Sequence, residues 1–372
     1  MRFLCDKSRL ESAVAPLLLA IPSKESPKPC LKCIHLEADT DHLFLKGSNT
    51  ELSIEVKLDS VKVQETGQAL IPARPFHSLL RELSDPTVEI EVQDGSLVLP
   101  TSTGEFRIVT ANPEDFPELD FSTGGEGFEV QIGLLARLFQ STEFACAREA
   151  TKYAMNGVMI AFKSETVTLV ATDGRRLAMN SSPYGASFSE PAESEDQRVL
   201  LPQRSFAAAI RAMDDLPGEK VVIGVREGSV SFTLPGRRVS VQQIMGDFPD
   251  YEAVIPREAD NSVELDRSLF ESNLRRSAVL AEELNPAVKI TFEGSQAVFE
   301  SEAAGVGSAK TTMDINLSGS GGTMTFNPNY VFDGLKVAQH DPVRFEFQDS
   351  DSPGKFLLGE QFVYIVMPIT GV

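Results

Sequence analysis

Apolar residues along this chain recur mostly every second position, interrupted by a few stretches with helical spacing. Leu52, Ile54, Val56 and Leu58 alternate with polar neighbours, the period of a half-buried strand. Residues 166–171 alternate likewise, with Val167, Leu169 and Ala171 on one face. Shorter runs of the same kind predict strands at 88–92, 96–99 and 105–110. Leu10, Val14, Leu17 and Leu18 have helical spacing instead. Pro16 predicts that this helix is short or irregular, because its ring removes an N–H and crowds the preceding turn. Ile71-Pro72-Ala73-Arg74-Pro75-Phe76 opens a further helix, proline being tolerated in a first turn whose N–H groups have no helical partner.

That order of events recurs. Leu201-Pro202-Gln203-Arg204-Ser205-Phe206 and Phe326-Asn327-Pro328-Asn329-Tyr330-Val331-Phe332 open two more such helices. Phe76, Phe206 and Phe332 are spaced by 130 and 126 residues, and Asp115-Phe116-Pro117 returns as Asp247-Phe248-Pro249 after 132. Apolar helices also open each unit, near residues 10–18, 134–144 and 269–280. A shared offset across independent features points to three copies of one helix–strands–helix–strands unit of about 125 residues, an ordinary domain size. Glycine-rich residues 122–127 and polar residues 257–262 fall where linkers are needed, and 185–198 and 303–308 read as surface loops. The expected fold class is α+β, three domains of two helices packed on antiparallel sheets, bounded at 1–125, 126–257 and 258–372.

At 42% hydrophobic and 24% charged, the composition is that of an ordinary globular protein. No apolar run reaches the length of a membrane span and no signal peptide is evident, so a cytoplasmic protein is expected. Cys5, Cys30, Cys33 and Cys146 are too few for a disulfide framework. Cys30-Leu31-Lys32-Cys33 lacks the second ligand pair that a zinc site requires, so no metal and no cofactor are expected. No Walker A loop, dinucleotide fingerprint, His-Glu-x-x-His or Gly-x-Ser-x-Gly occurs, and the four histidines are scattered. Catalysis has no sequence support, and no catalytic residue is expected.

The net charge of −20 opposes general affinity for nucleic acid. Basic residues nevertheless fall in or beside helices of all three units: Lys7, Arg9, Lys24, Arg74 and Arg81; Arg137, Arg148, Lys152, Arg204 and Arg211; Arg275, Arg276 and Lys336. Helices lining one surface would make that surface basic within an acidic protein, suited to sequence-independent contact with phosphates.

The most informative stretch is Val170-Ala171-Thr172-Asp173-Gly174-Arg175-Arg176-Leu177-Ala178-Met179. A strand meets the turn dipeptide Asp-Gly and presents two guanidinium groups beside it. With Asn156-Gly157, Asp247-Phe248-Pro249-Asp250-Tyr251, Tyr364-Ile365-Val366-Met367-Pro368-Ile369 and the threefold repeat, it resembles the bacterial DNA polymerase III β subunit, the sliding clamp family. The resemblance covers the whole chain. It implies a head-to-tail homodimer closed into a ring around double-stranded DNA, with helices inside and sheets outside. The clamp tethers the polymerase III α subunit, the clamp loader and repair proteins through short linear peptides. A secondary clamp of the same fold serving repair polymerases is the alternative.

Carried over by matching motif, the peptide pocket comprises Met155, Thr172, Gly174, Arg175, Arg176, Leu177, Pro249, Val254, Ile365, Met367, Pro368 and Ile369. Its methionines are soft enough to accept several peptides, and Arg175 and Arg176 are expected to orient them through charge-assisted hydrogen bonds. The same resemblance places Phe106 and Arg107 at one dimer edge and Val279 and Leu280 at the other. Ala253 and the uncharged end Thr370-Gly371-Val372 depart from the family pattern, and only Glu300 and Glu302 remain of its acidic cluster. The dimer is therefore expected to rest on apolar contact and strand pairing.

Overall fold

The computed structural model describes residues 1–24, 27–123, 127–149, 153–163, 166–183 and 197–370. Lys152, half of the first linker and most of the loop at 185–198 lie outside the described residues, as do Gly371 and Val372. The described α-helices are α1 (Lys7–Val14), α2 (Ala73–Glu82), α3 (Ile132–Gln140), α4 (Gln203–Arg211), α5 (Arg267–Ala278) and α6 (Pro328–Lys336). None is long and apolar enough to cross a membrane. The chain forms two compact units, one of Met1–Ala136 with Arg204–Ile244, the other of Arg137–Pro183 with 197–203 and 245–370.

In the first unit α1 begins at Asp6, whose carboxylate accepts the Arg9 N–H at 2.9 Å. It gives way at Ala15 to a 3-10 turn, Ala15–Ala20, with Pro16 in its first turn. The irregularity read from Pro16 is thus a change of helix type. A five-stranded antiparallel sheet runs Lys62–Glu65, Arg2–Asp6, Thr87–Gln93, Ser96–Thr101, Gly104–Val109. An eight-stranded sheet runs Phe128–Gln131, Lys220–Arg226, Ser229–Leu234, Arg237–Gln242, Leu52–Asp59, His42–Ser48, Cys33–Asp39, Gly67–Pro72. Strands of different repeats meet in the middle of this sheet, where Val239 pairs with Ile54 and Val241 with Leu52. All four of these side chains are buried. A two-residue period puts one face of each strand inward, and joining the sheets buries an edge from either side.

In the second unit a nine-stranded sheet runs Gln197–Pro202, Gly157–Lys163, Thr166–Thr172, Arg176–Pro183, Phe362–Val366, Gly354–Gly359, Val343–Phe347, Asn261–Leu265, Asn316–Ser318. Here too different repeats meet, with Leu177 opposite Ile365 and Arg176 opposite Val366. A four-stranded sheet, Gly307–Asp314, Gln296–Ala303, Val288–Glu293, Gly322–Phe326, completes the unit. Its core is aromatic: the Phe345 ring lies 4.5 Å from that of Phe356 and 5.4 Å from that of Phe347.

The helical repeat needs one correction. Phe76 and Phe206 are fully buried fourth residues of α2 and α4, but the fourth residue of α6 is Val331, also buried. Phe332 is one place later, only half-buried, under the Arg275 guanidinium. A hundred-degree turn per residue separates these neighbours, so a one-residue slip moves the ring off the core face.

Candidate peptide site and basic helix faces

The hairpin between strands Thr166–Thr172 and Arg176–Pro183 is closed by its own side chains. Asp173 Oδ1 accepts the N–H groups of Arg175 at 2.9 Å and Arg176 at 3.0 Å. The Thr172 hydroxyl donates to the Arg176 carbonyl at 2.6 Å and accepts the Gly174 N–H at 3.1 Å. Gly174 sits at φ 84°, the left-handed region where a side chain is strained. The Met155 Sδ and Cε lie 3.8 Å from where a Cβ on Gly174 would be. Thr172, Gly174, Met155, Leu177 and Ile365 are thus brought together around the hairpin and its cross-repeat strand pair.

The two arginines have opposite fates. Arg175 is exposed at the tip, and no side-chain partner is recorded for it among the described residues. Arg176 is buried, and each of its three guanidinium nitrogens donates to a protein acceptor. Nε donates to Asp173 Oδ2 at 3.0 Å, Nη1 to Asp333 Oδ2 at 2.5 Å and Nη2 to the Phe144 carbonyl at 2.7 Å. The guanidinium carbon lies 4.8 Å from the centre of the Tyr330 ring and 5.5 Å from that of Phe144. Burial works to lower its pKa, but its surroundings, including the hydrogen bond and charge of Asp333 and the charge of Asp173, outweigh it and raise the pKa. Arg176 thus already donates from all three of its guanidinium nitrogens within the protein while Arg175 is left exposed, because side chains alternate in direction where the strand leaves the turn.

Five of the twelve predicted pocket residues line two hollows. One, of about 440 Å³, is lined by Arg175, Met367, Pro368 and Ile369 together with Asn285, Pro286, Asn327 and Tyr330. The tail forming its floor is stitched on both sides: the Met367 N–H donates to the Arg175 carbonyl at 2.8 Å and the Ile369 N–H to the Thr325 carbonyl at 2.8 Å. The other, of about 340 Å³, is lined by Pro249 with Met159, Leu200 and Phe248 among others. Val254, 39% exposed, lies on the 3-10 turn Glu252–Val254. Glu252 holds that turn, accepting from the Tyr251 hydroxyl at 3.1 Å and from Lys163 and Arg198 at 3.3 Å each. The hydrogen bonds from Tyr251 and Lys163 hold its carboxyl below the usual range. Asn285, Pro286, Asn327 and Tyr330 escaped sequence reasoning. Asn327-Pro328 was readable only as a helix start, and indeed Asn327 caps α6 through the Asn329 N–H at 3.0 Å.

The basic residues follow the helices closely. Lys7 and Arg9 lie on α1, Arg74 and Arg81 on α2, Arg137 on α3, Arg204 and Arg211 on α4, Arg275 and Arg276 on α5, and Lys336 on α6. All of these are exposed except Lys7, which is half-buried and pairs with Glu11 at 3.3 Å. Arg275 pairs with Glu271 one turn away. Lys24 and Arg148 are exposed but lie outside the helices.

Phe106 and Arg107 sit on strand Gly104–Val109, an edge of the five-stranded sheet, with Phe106 41% and Val109 75% exposed. In the other unit, strand Gly307–Asp314 is an edge of the four-stranded sheet. Val279, 75% exposed, follows α5, and Leu280 reaches to within 3.8 Å of the Cβ position of Gly307. Glu300 is occupied within its own sheet by Lys310 at 2.9 Å and Lys289 at 3.8 Å. Cys30 and Cys33 pack with Leu70, Phe116 and Leu119 in a small apolar cluster. Cys146 donates to the Gly157 carbonyl at 3.3 Å, and burial pushes its thiol up to about 12.

Comparison with known proteins follows this architecture along its whole length. The curated relatives include the beta sliding clamps of Chlamydia muridarum, 26% identical over 99% of both chains, and of Synechocystis sp., 27% identical over 99% of both. Solved structures with the same fold include the DNA polymerase III subunit beta of Pseudomonas aeruginosa (TM-score 0.92, 24% identity, 99% of this chain and 100% of that one). The sliding clamp of Bacillus subtilis matches at TM-score 0.91 and 24% identity over all of both chains. Sequence models of the N-terminal, central and C-terminal domains of the DNA polymerase III beta subunit match residues 1–120, 129–250 and 252–369 in that order. With nearly every residue accounted for, this chain belongs to the DNA polymerase III beta subunit family, the DNA sliding clamps, which are non-catalytic processivity factors.

Proposed function

We propose that this sliding clamp closes a head-to-tail homodimeric ring around duplex DNA in the cytoplasm and holds its partners by short peptides seated at the hairpin tip. The domains are those bounded at 1–125, 126–257 and 258–372. The observation that carries the DNA reading is the exposed basic residue on every described α-helix of a chain whose net charge is −20. Contacts of this kind reach phosphates and carry no base information, so the ring slides without sequence preference. An acidic remainder discourages DNA from binding anywhere else. Each contact can be weak, because enclosure and not affinity prevents escape.

The partner site is the hollow of about 440 Å³, whose lining is apolar along Met367, Pro368 and Ile369 and carries one charged group, Arg175. Such a mixture admits several apolar side chains while one guanidinium fixes peptide direction. The partners are the polymerase III α subunit, the clamp loader and other DNA-processing proteins. The dimer pairs the edge strand Gly104–Val109 of one protomer with Gly307–Asp314 of its partner, Phe106 meeting the Val279–Leu280 patch.

The deciding experiment loads the protein by its clamp loader onto DNA with free or blocked ends and follows retention. Escape from free ends alone supports enclosure. Equal retention on both overturns the ring.

A further inference from the structure

We infer that Asp333, on α6, is a positioning residue for partner binding: through Arg176 it sets the hollow's Tyr330 wall and Arg175 tip before any peptide arrives. The inference rests on the partner-peptide reading of that hollow.

Asp333 does not line the hollow. Its carboxylate meets Arg176 Nη1 at 2.5 Å, and the Arg176 side chain is 9% exposed. A buried guanidinium needs its charge and its donors matched, and losing one partner leaves the rest free to rearrange. Two consequences follow from the geometry. Arg176 lies against the Tyr330 ring at 4.8 Å, and Tyr330 is one turn before Asp333 on the same helix. The ring that forms a wall of the hollow is therefore held by a cation that Asp333 holds. Arg176 Nε also binds Asp173 Oδ2, while the other oxygen of Asp173 closes the turn that presents Arg175. The chain of contacts Asp333, Arg176, Asp173 thus ends at the N–H of the one charged residue in the hollow.

The Tyr330 backbone is fixed independently, its carbonyl accepting the Tyr364 hydroxyl at 2.7 Å. Loss of Asp333 is thus expected to loosen the Tyr330 ring and the hairpin tip without displacing α6. A preformed wall spares a ligand the cost of ordering it, and that saving is what the Asp333 contact contributes to affinity.

The test uses the full-length clamp and labelled peptides tiled across the cognate polymerase III α subunit, with binding read by fluorescence anisotropy. Asp333→Asn should weaken every peptide that binds by about tenfold, whatever the peptide's charge. Asp333→Glu should recover part of that loss, and thermal melting should show all variants folded. In a Tyr330→Ala, Arg175→Ala background, Asp333→Asn should have less than about a twofold further effect, because both of its routes to the ligand are gone. A general structural defect would add in full, and that result overturns the role. Unchanged affinity in Asp333→Asn, with Met367→Ala weakened, overturns the role while leaving the pocket standing. Unchanged affinity in Met367→Ala overturns the pocket and this role together.

Discussion

Thr50 and Gly174 hold the same position in two hairpins of different repeats, at φ 80° and 84°. The turns around them share three side-chain hydrogen bonds. Asn49 Oδ1 accepts the N–H groups of Glu51 at 3.0 Å and Leu52 at 2.8 Å, as Asp173 does for Arg175 and Arg176. The Ser48 hydroxyl accepts the Thr50 N–H at 3.1 Å, as the Thr172 hydroxyl does for Gly174. The hairpin is therefore a property of the repeat, and the arginines are an addition to one copy of it.

This equivalence predicts opposite effects of two substitutions. A β-branched residue in left-handed backbone costs about 1–2 kcal/mol, part of which glycine's freedom in the unfolded chain offsets. Thr50→Gly should stabilise the protein by roughly 0.5 kcal/mol, and Gly174→Val should destabilise it by about 1–2 kcal/mol. Denaturant unfolding of the two variants against wild type checks both signs. A destabilised Thr50→Gly would mean that the threonine side chain contributes more than its backbone strain costs.

The pocket reading predicts that Met367→Ala weakens partner peptides by about 1–3 kcal/mol through lost contact in the hollow. Arg175→Ala should instead weaken acidic peptides more than neutral ones, and that difference should shrink with salt. Titrations of matched peptides at two ionic strengths separate these outcomes. Loss independent of peptide charge would remove Arg175 from the recognition surface.

Asp215 gives a pH-dependent prediction in the first unit. Its two oxygens accept from Arg237 at 2.6 and 3.0 Å, and Arg237 also donates to the Ala212 carbonyl. The hydrogen bond from Arg237 lowers the Asp215 pKa. A lowered carboxyl pKa means stability that is present above the unfolded value, about 3.9, and fades as pH falls through the lower folded value. The Asp215 side chain is 57% exposed, so solvent screening holds the contribution to roughly 0.5 kcal/mol. Asp215→Asn should therefore be less stable than wild type at pH 7, with the gap closing as pH falls through the lowered value of the folded carboxyl. Urea titrations across that range test the convergence, and a constant gap would assign the effect to packing.

For the dimer, Phe106→Asp should weaken association at least about tenfold, because it places a charge against an apolar patch at a strand edge. Glu300→Gln should change it by less than about twofold, since Glu300 is already engaged by Lys310 and Lys289 and exposed pairs contribute little. Sedimentation velocity over a concentration series measures both. The reverse ranking would transfer the interface from apolar contact to charge.

Local periodicity made the elements legible. The alternation at 52–58 became strand Leu52–Asp59, Pro16 marked where α1 ends, and Asp173-Gly174 marked the turn, each because the cause lies within a few residues of the effect. The threefold recurrence and the basic residue on every described α-helix could also be read directly, since both are patterns in sequence spacing. Tertiary structure decided what spacing cannot encode. It joined strands of different repeats through Leu52 with Val241 and Leu177 with Ile365. It also put Val331, not Phe332, on the core face of α6. Above all it separated Arg175 from Arg176. They are adjacent and chemically identical, yet the second is buried because a carboxylate 157 residues away arrives beside it. A long-range contact costs chain entropy that only the assembled sheet repays, so no local pattern announces it.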